Sequence, residues 1–324
     1  MAGGAARQVG LGLLLSLALG LTAACSEDDA TPEAAPTTTE PTKDKKQRNR
    51  DNGQQGQPGD EAGDLADMAE DLANDARGTI PPRAGEVLGA DISWPQCPKG
   101  MGIPEKQSLG LPMPVDEAEF VVVGLTNGPG FTPNPCLADQ VAWVEERELM
   151  ISAYAVASYP DDATLARYEW DGPFDGTRLA GRLRNVGYQQ ARFNVVSMIE
   201  AGLETPIVWI DVEPVPDFEW SADKAANAAV VEGAARAYTE AGYSIGVYST
   251  PYLWDGVVGD FELGVPEWRA AGRTSRDEAL ARCGDDWSIQ GGTAVLGQWV
   301  ADNRDHNVTC PGIAQDLGRW FHRS

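Results

Sequence analysis

The chain has 324 residues, 42% hydrophobic and 23% charged, with 49 acidic against 25 basic side chains and a formal net charge of -24. So acidic a protein repels phosphate backbones, whose affinity for proteins comes mainly from Lys and Arg, and nucleic acid is excluded as a partner. The two histidines, His306 and His322, are too few for a multi-histidine metal cage or an H-E-x-x-H zinc pair, so no metal and no other cofactor is expected.

In chain order, a short start carrying Arg7, an apolar run from Leu11 to Leu21 and the small residues Thr22-Ala23-Ala24 predict an export signal over 1-24. The run is shorter than the about 20 apolar residues a membrane-spanning helix needs. Cys25 directly after Leu-Thr-Ala-Ala resembles the cleavage box of bacterial lipoproteins, which implies lipidation of Cys25 and anchoring to the outer face of the cytoplasmic membrane, with plain secretion as the alternative. Residues 25-88 are then a polar, acidic linker too poor in large apolar side chains to fold as a core, with a short helix over 61-77 marked by Leu65, Met68 and Leu72. Four further cysteines in an exported chain favour disulfides. Pairing Cys97 with Cys136 and Cys283 with Cys310 closes the smaller loops, although three pairings are open.

From 89 to 324 short apolar strands alternate with helical stretches. Strands are predicted over 90-94, 120-125, 150-156, 207-212, 244-248, 268-271 and 295-300, with helices such as 177-201 and 221-241, the latter capped by Ser221. This order and length suit an α/β fold, an irregular β/α (TIM-like) barrel, with a doubly wound open sheet as competitor. No Gly-x-Gly-x-x-Gly follows a strand, which removes weight from nucleotide-binding versions. A monomer is expected.

The most informative stretch is Ile207-Val208-Trp209-Ile210-Asp211-Val212-Glu213-Pro214. Strand side chains alternate, so Asp211 and Glu213 share a face, and Pro214 ends the strand at the rim where β/α barrels build their sites. Crowded carboxylates cannot all ionise freely, so one is held protonated as a donor, which is the equipment of a glycosidase. Asp91 ends the first strand and is followed by Trp94. Gln298 and Trp299 end the last strand and lead to Asp305, while Tyr154 and Tyr248 end two others.

The motifs Asp91-Ile92-Ser93 with Gln96, Asn127-Gly128 with Phe131, Trp209-Ile210-Asp211-Val212-Glu213, Gly246-Val247-Tyr248-Ser249, Trp268, Gln298-Trp299 and Asp305-His306-Asn307 follow one another in the order of glycoside hydrolase family 25, which the chain resembles from Gly89 to about Cys310. The Trp-Pro-Gln-Cys and Asn-Pro-Cys elements resemble a secreted actinobacterial branch of that family. The resemblance implies a muramidase acting on the β-1,4 bonds of peptidoglycan. In it Glu213 would be acid/base, Asp211 would stabilise positive charge or orient the substrate N-acetyl group, and Asp91 and Asp305 would complete the acidic floor. Trp94, Tyr154, Tyr248, Gln298 and Trp299 would bind sugar. Asn127 and Ala155 stand where many members carry Glu and His, which keeps open a catalytically weak glycan-binding role of the same fold.

Overall fold

The computed structural model describes residues 58–323, with side chains from residue 61, so the export signal, Cys25 and the beginning of the linker lie outside the described residues. Eight strands form one closed barrel in sequence order: β1 (Leu88–Ile92), β2 (Phe120–Gly124), β3 (Met150–Val156), β4 (Ile207–Asp211), β5 (Ser244–Ser249), β6 (Glu267–Arg273), β7 (Ala294–Ala301) and β8 (Arg304–Thr309). Strands β1 to β7 pair in parallel, and helices α2 (Leu137–Glu145), α3 (Asp162–Tyr168), α4 (Leu179–Ala201), α5 (Lys224–Glu240), α6 (Pro251–Val258) and α7 (Arg276–Ala281) lie in their connections. The open-sheet alternative is thereby removed.

The eighth strand is a correction to the sequence expectation, which left 302–309 outside any strand. Asp302 and Asn303 both have positive φ, 51° and 57°, and form the two-residue turn that folds β8 back antiparallel on β7. Strand β8 also pairs antiparallel with β1 and so closes the barrel.

Alternation sorts the apolar residues into two layers. Phe120, Val122, Met150, Ile207, Trp209, Trp268 and Leu296 fill the interior, while Val121, Val123, Ile151, Ala153, Val208, Ile210, Ile245 and Val247 face the helices. Glycines make room for the large interior rings. A Cβ on Gly89 would stand 2.4 Å from the Phe120 ring, and one on Gly246 would stand 2.3 Å from Trp209. The end of the barrel at the strand N-termini is plugged by the C-terminal segment, with Phe321 against Phe120 at 4.4 Å between ring centroids and Trp320 against Trp209 at 6.4 Å. That leaves the opposite mouth for a site.

Local signals explain most element ends. Helix α5 is capped by Asp223, whose carboxylate accepts from Ala225 and Ala226 N–H, and not by Ser221; the Ser221 hydroxyl accepts from the Asp223 N–H one step earlier. Helix α4 ends at Gly202, in the left-handed region at φ 70°. The disulfides are Cys97–Cys136 and Cys283–Cys310, the nearest-neighbour pairing.

The helix foreseen at 61–77 is present as α1 (Pro58–Asp75), and it packs on the barrel and its C-terminal segment. Leu65, Ala62, Ala69 and Ala73 are buried, the Ser244 hydroxyl donates to the Ala69 carbonyl, and Arg319 pairs with Glu70. The buried stripe thus runs through Leu65 and three alanines at helical spacing, with Met68 at its exposed edge. If this docking holds, Leu65→Ala lowers unfolding stability by about 2–4 kcal/mol in denaturant titration, whereas Met68→Ala, at the exposed edge of the stripe, changes it by about 0.5 kcal/mol or less. Equal, small effects at both positions would show α1 to be undocked.

Candidate active site

At the open mouth, Asp91, Asp211, Glu213 and Asp305 line one cleft together with Ser93, Trp94, Gln96, Lys106, Tyr154, Tyr248, Trp268 and Gln298. The barrel registers explain the convergence. Asp91 is the direct antiparallel partner of Asp305, and Asp211 is level with Tyr248 on β5 and Val156 on β3. Glu213 lies two residues past Asp211, and extended pairing continues to it through Val212 N–H to the Tyr248 carbonyl (3.1 Å) and the Ser249 hydroxyl to the Val212 carbonyl (2.7 Å). Both acids therefore keep one face, as alternation predicts. Trp220 Nε1 donates to the Glu213 carbonyl at 3.0 Å and holds the backbone at that point.

Asp91 is the most elaborately held of the four. Its Oδ1 accepts from Gln298 Nε2 at 3.0 Å and Asn307 Nδ2 at 2.7 Å. Each amide is oriented in turn: Tyr248 donates its hydroxyl to Gln298 Oε1 at 2.8 Å, and Trp268 donates its indole N–H to Asn307 Oδ1 at 2.7 Å. Asp211 is the opposite case, because its buried Oδ1 accepts no hydrogen bond from any of the described residues. An unpaired buried carboxylate oxygen is costly, and a donor on a bound molecule would relieve it.

Burial is the first cause of every carboxylate shift here. It pushes Asp91 well above the usual range, reinforced by the Asp305 charge against the opposing pull of Gln298 and Asn307. It pushes Asp211 well above that range too, with Glu213 and then Asp91 adding to it. Glu213 is raised to about 7 by burial and by Asp305, and Asp305 is raised by burial against the pull of His306 and Arg273. Such a cluster titrates as a unit and holds protons near neutral pH. Tyr154 and Tyr248 are also raised, by burial and then by Asp91 and Glu213 respectively, so both remain hydroxyl donors.

Of the sugar-contact residues expected from the sequence, Trp94, Tyr154, Tyr248 and Gln298 line the cleft, whereas Trp299 does not. Trp299 follows inward-facing Gln298 and therefore points outward, where it stacks on His306 with centroids 5.0 Å apart. Sequence reasoning missed Asn307 as a support for Asp91 and Lys106 as a lining residue. Once 304–309 is a strand, the period of two puts Asn307 on the face of Asp305; Lys106, on a loop between β1 and β2, carries no such signal. Among the described residues no group of three or more His, Cys, Asp or Glu side chains is arranged to hold a metal ion.

These features define an α/β-barrel protein with a carboxylate-lined cleft at the C-terminal mouth of its parallel strands. Residues 181–275, from α4 through β6 and including Asp211, Glu213 and Tyr248, match the family model described as Lys-1: Lysozyme-like protein 1. No curated protein sequence matches the chain. Similar solved structures include a family GH25 lysozyme from Aspergillus fumigatus, at 17% identity over 71% of this chain and 97% of that one, with a TM-score of 0.44. A bacterial lysozyme from Streptomyces coelicolor is similar at 12% identity over 72% and 99%, with a TM-score of 0.45. The modular autolysin LytC from Streptococcus pneumoniae is similar at 11% identity over 69% of this chain, with a TM-score of 0.41, and the match spans only 46% of LytC.

The electrostatics predict a stability signature. An acid whose folded pKa is raised costs nothing below its unfolded value, near 4.5 for Glu213, and destabilises the fold as pH rises from there through about 7. Glu213→Gln should therefore stabilise the protein at pH 8 but not at pH 4. The gain, on the order of 2 kcal/mol after allowance for solvent screening, is measurable by denaturant unfolding at the two pH values. A gain independent of pH would contradict the raised pKa.

Proposed function

We propose that the protein is a glycoside hydrolase that cuts β-1,4 bonds of peptidoglycan, with Glu213 as the proton donor. The observation that carries this reading is the pairing of Glu213, held protonated up to about pH 7, with Asp211, whose Oδ1 has no donor among the described residues, in one cleft. The matched lysozyme-like segment contains both residues and agrees with the reading. A protonated Glu213 can deliver its proton to the glycosidic oxygen as the bond breaks. Asp211 suits either of two tasks at the sugar: accepting the N–H of an N-acetyl group, or facing the positive charge that develops at the anomeric carbon. Positive charge there would favour the ionised forms of Asp211, Asp91 and Asp305, which burial disfavours, so their stabilisation is greatest in the transition state. Tyr154, Tyr248 and Trp94 offer hydroxyls and a ring face to the sugars.

The export signal and the lipidation of Cys25 expected from the sequence support an activity outside the cytoplasmic membrane, on a lipid-anchored chain. A second reading, glycan binding with weak catalysis, draws on Asn127. That residue is fully buried, and both ends of its amide are spent on the loop beside it: Oδ1 accepts from Ile103 N–H at 2.8 Å and Nδ2 donates to the Lys106 carbonyl at 2.9 Å.

Mass spectrometry of purified peptidoglycan incubated with the protein distinguishes the two. New muramic acid reducing ends are expected from the unmodified chain, with a loss of about 10²-fold or more in rate for Glu213→Gln. Since the donor must be protonated, kcat should fall as pH rises through about 7. Glycan retained without products would favour the binding reading, and a rate unchanged up to pH 9 would remove Glu213 from the donor role.

A further inference from the structure

Lys106 is the only basic side chain lining the cleft among the described residues, and the protein builds a cradle to hold it there. Buried Asn127 grips the backbone of residues 103 and 106 with both ends of its amide. Gly128, at φ 93°, supplies the wall. A Cβ at that position would crowd Phe218 at 3.1 Å while meeting Lys106 Cγ in ordinary contact at 3.5 Å, so the glycine admits the phenyl ring beside which the lysine stem lies. The Lys106 ammonium is 5.8 Å from the centroid of that ring. The result is a side chain only 14% exposed, on a short 3-10 turn that would otherwise leave a lysine in solvent.

Its protein partner is weak by comparison. The single ion pair that Lys106 makes among the described residues is with Asp217, at 3.9 Å, and the Asp217 side chain is 63% exposed. Asp217 sits in a tight turn after Pro216 with φ 73°, closed by the Phe218 N–H on the Val215 carbonyl. None of Asp91, Asp211, Glu213 or Asp305 is within ion-pair distance of the ammonium. A cleft lined by four acids repels an anionic sugar, and one fixed cation at its wall reverses that locally.

We propose that Lys106 is a specificity residue: its ammonium receives a carboxylate borne on the sugar, so that the cleft selects acid-bearing glycans over neutral ones. This rests on the glycan reading of the cleft and names the feature of the glycan that is read. N-acetylmuramic acid freed of its peptide, which carries a free carboxylate on an ether arm, has the required chemistry; peptide-bearing muramic acid, where that carboxyl is an amide, and chitin oligomers lack it.

The test is calorimetric binding to the full chain carrying Glu213→Gln, so that turnover plays no part. The probes are a peptide-free tetrasaccharide of alternating N-acetylglucosamine and N-acetylmuramic acid, and its carboxyl methyl ester. The acid should bind about tenfold more tightly than the ester, the scale of one charge-assisted hydrogen bond. Lys106→Met should abolish that preference while leaving the ester's affinity unchanged, and Asp217→Asn, by removing the competing carboxylate, should increase it. Equal binding of acid and ester, a preference that survives Lys106→Met, or equal loss of both ligands in that variant would each overturn the proposal. Failure of the hydrolase reading looks different: no reducing ends from the unmodified chain, with the Lys106-dependent preference intact.

Discussion

The arrangement of the cleft depends on one closure, the antiparallel insertion of β8 between β7 and β1. Its register sets Asp305 opposite Asp91 and Asn307 opposite both Gly89 and Gln298. A slip of one residue would turn Asp305 and Asn307 outward and bring His306 into the barrel, because strand side chains alternate. The two-residue turn at Asp302-Asn303 leaves little room for such a slip. The same hairpin that abolishes the sheet edge therefore also completes the acidic floor and supplies an amide that holds Asp91.

Four carboxylates gathered in a buried mouth are unfavourable, and the surrounding residues show how the fold tolerates them. Asp91 is compensated by two amides, themselves oriented by a phenol and an indole, so its position is over-determined. Asp211 and Glu213 are left with less compensation, and protons take the place of partners. The interior beneath them is filled by Trp209, Trp268 and Phe120 and plugged from below by Trp320 and Phe321, a packed floor on which the strand ends are rigidly set. Stability is stored in that aromatic layer and given up at the mouth, the usual division between scaffold and site.

Asn127 links this arrangement to the loop after β1. A glutamate at that position would place a fifth charge near the cleft; the amide instead has both a donor and an acceptor and can bind a backbone N–H and a carbonyl at once. The amide keeps such a charge away from the rim and orders the loop. The loop in turn carries Lys106, so the charge balance of the cleft is set by a residue distant in sequence from every acid it stands beside except Asp91.

Much of this was legible in the chain itself, wherever the signal was local and periodic. The alternation in 207–213 put Asp211 and Glu213 on one face, the apolar runs located seven strands, and the cysteine spacing led to the correct disulfides. What failed were features whose meaning depends on contacts distant in sequence. The segment 304–309 has a single apolar residue, Val308, because its inward face presents Asp305 and Asn307, so it lacks an apolar alternation to announce a strand. Helix α1 buries a stripe of mostly alanines whose value appears only against the barrel wall. Trp299 has the composition of a sugar platform, but the inward turn of Gln298 commits its neighbour to the outside, and Lys106 lines the cleft from a loop that Asn127 holds. The sequence by itself determined which residue types could do acid/base chemistry and on which strand face they lie; only the tertiary structure decided which of them meet, because convergence comes from barrel register and loop anchoring, and neither leaves a periodic trace in the chain.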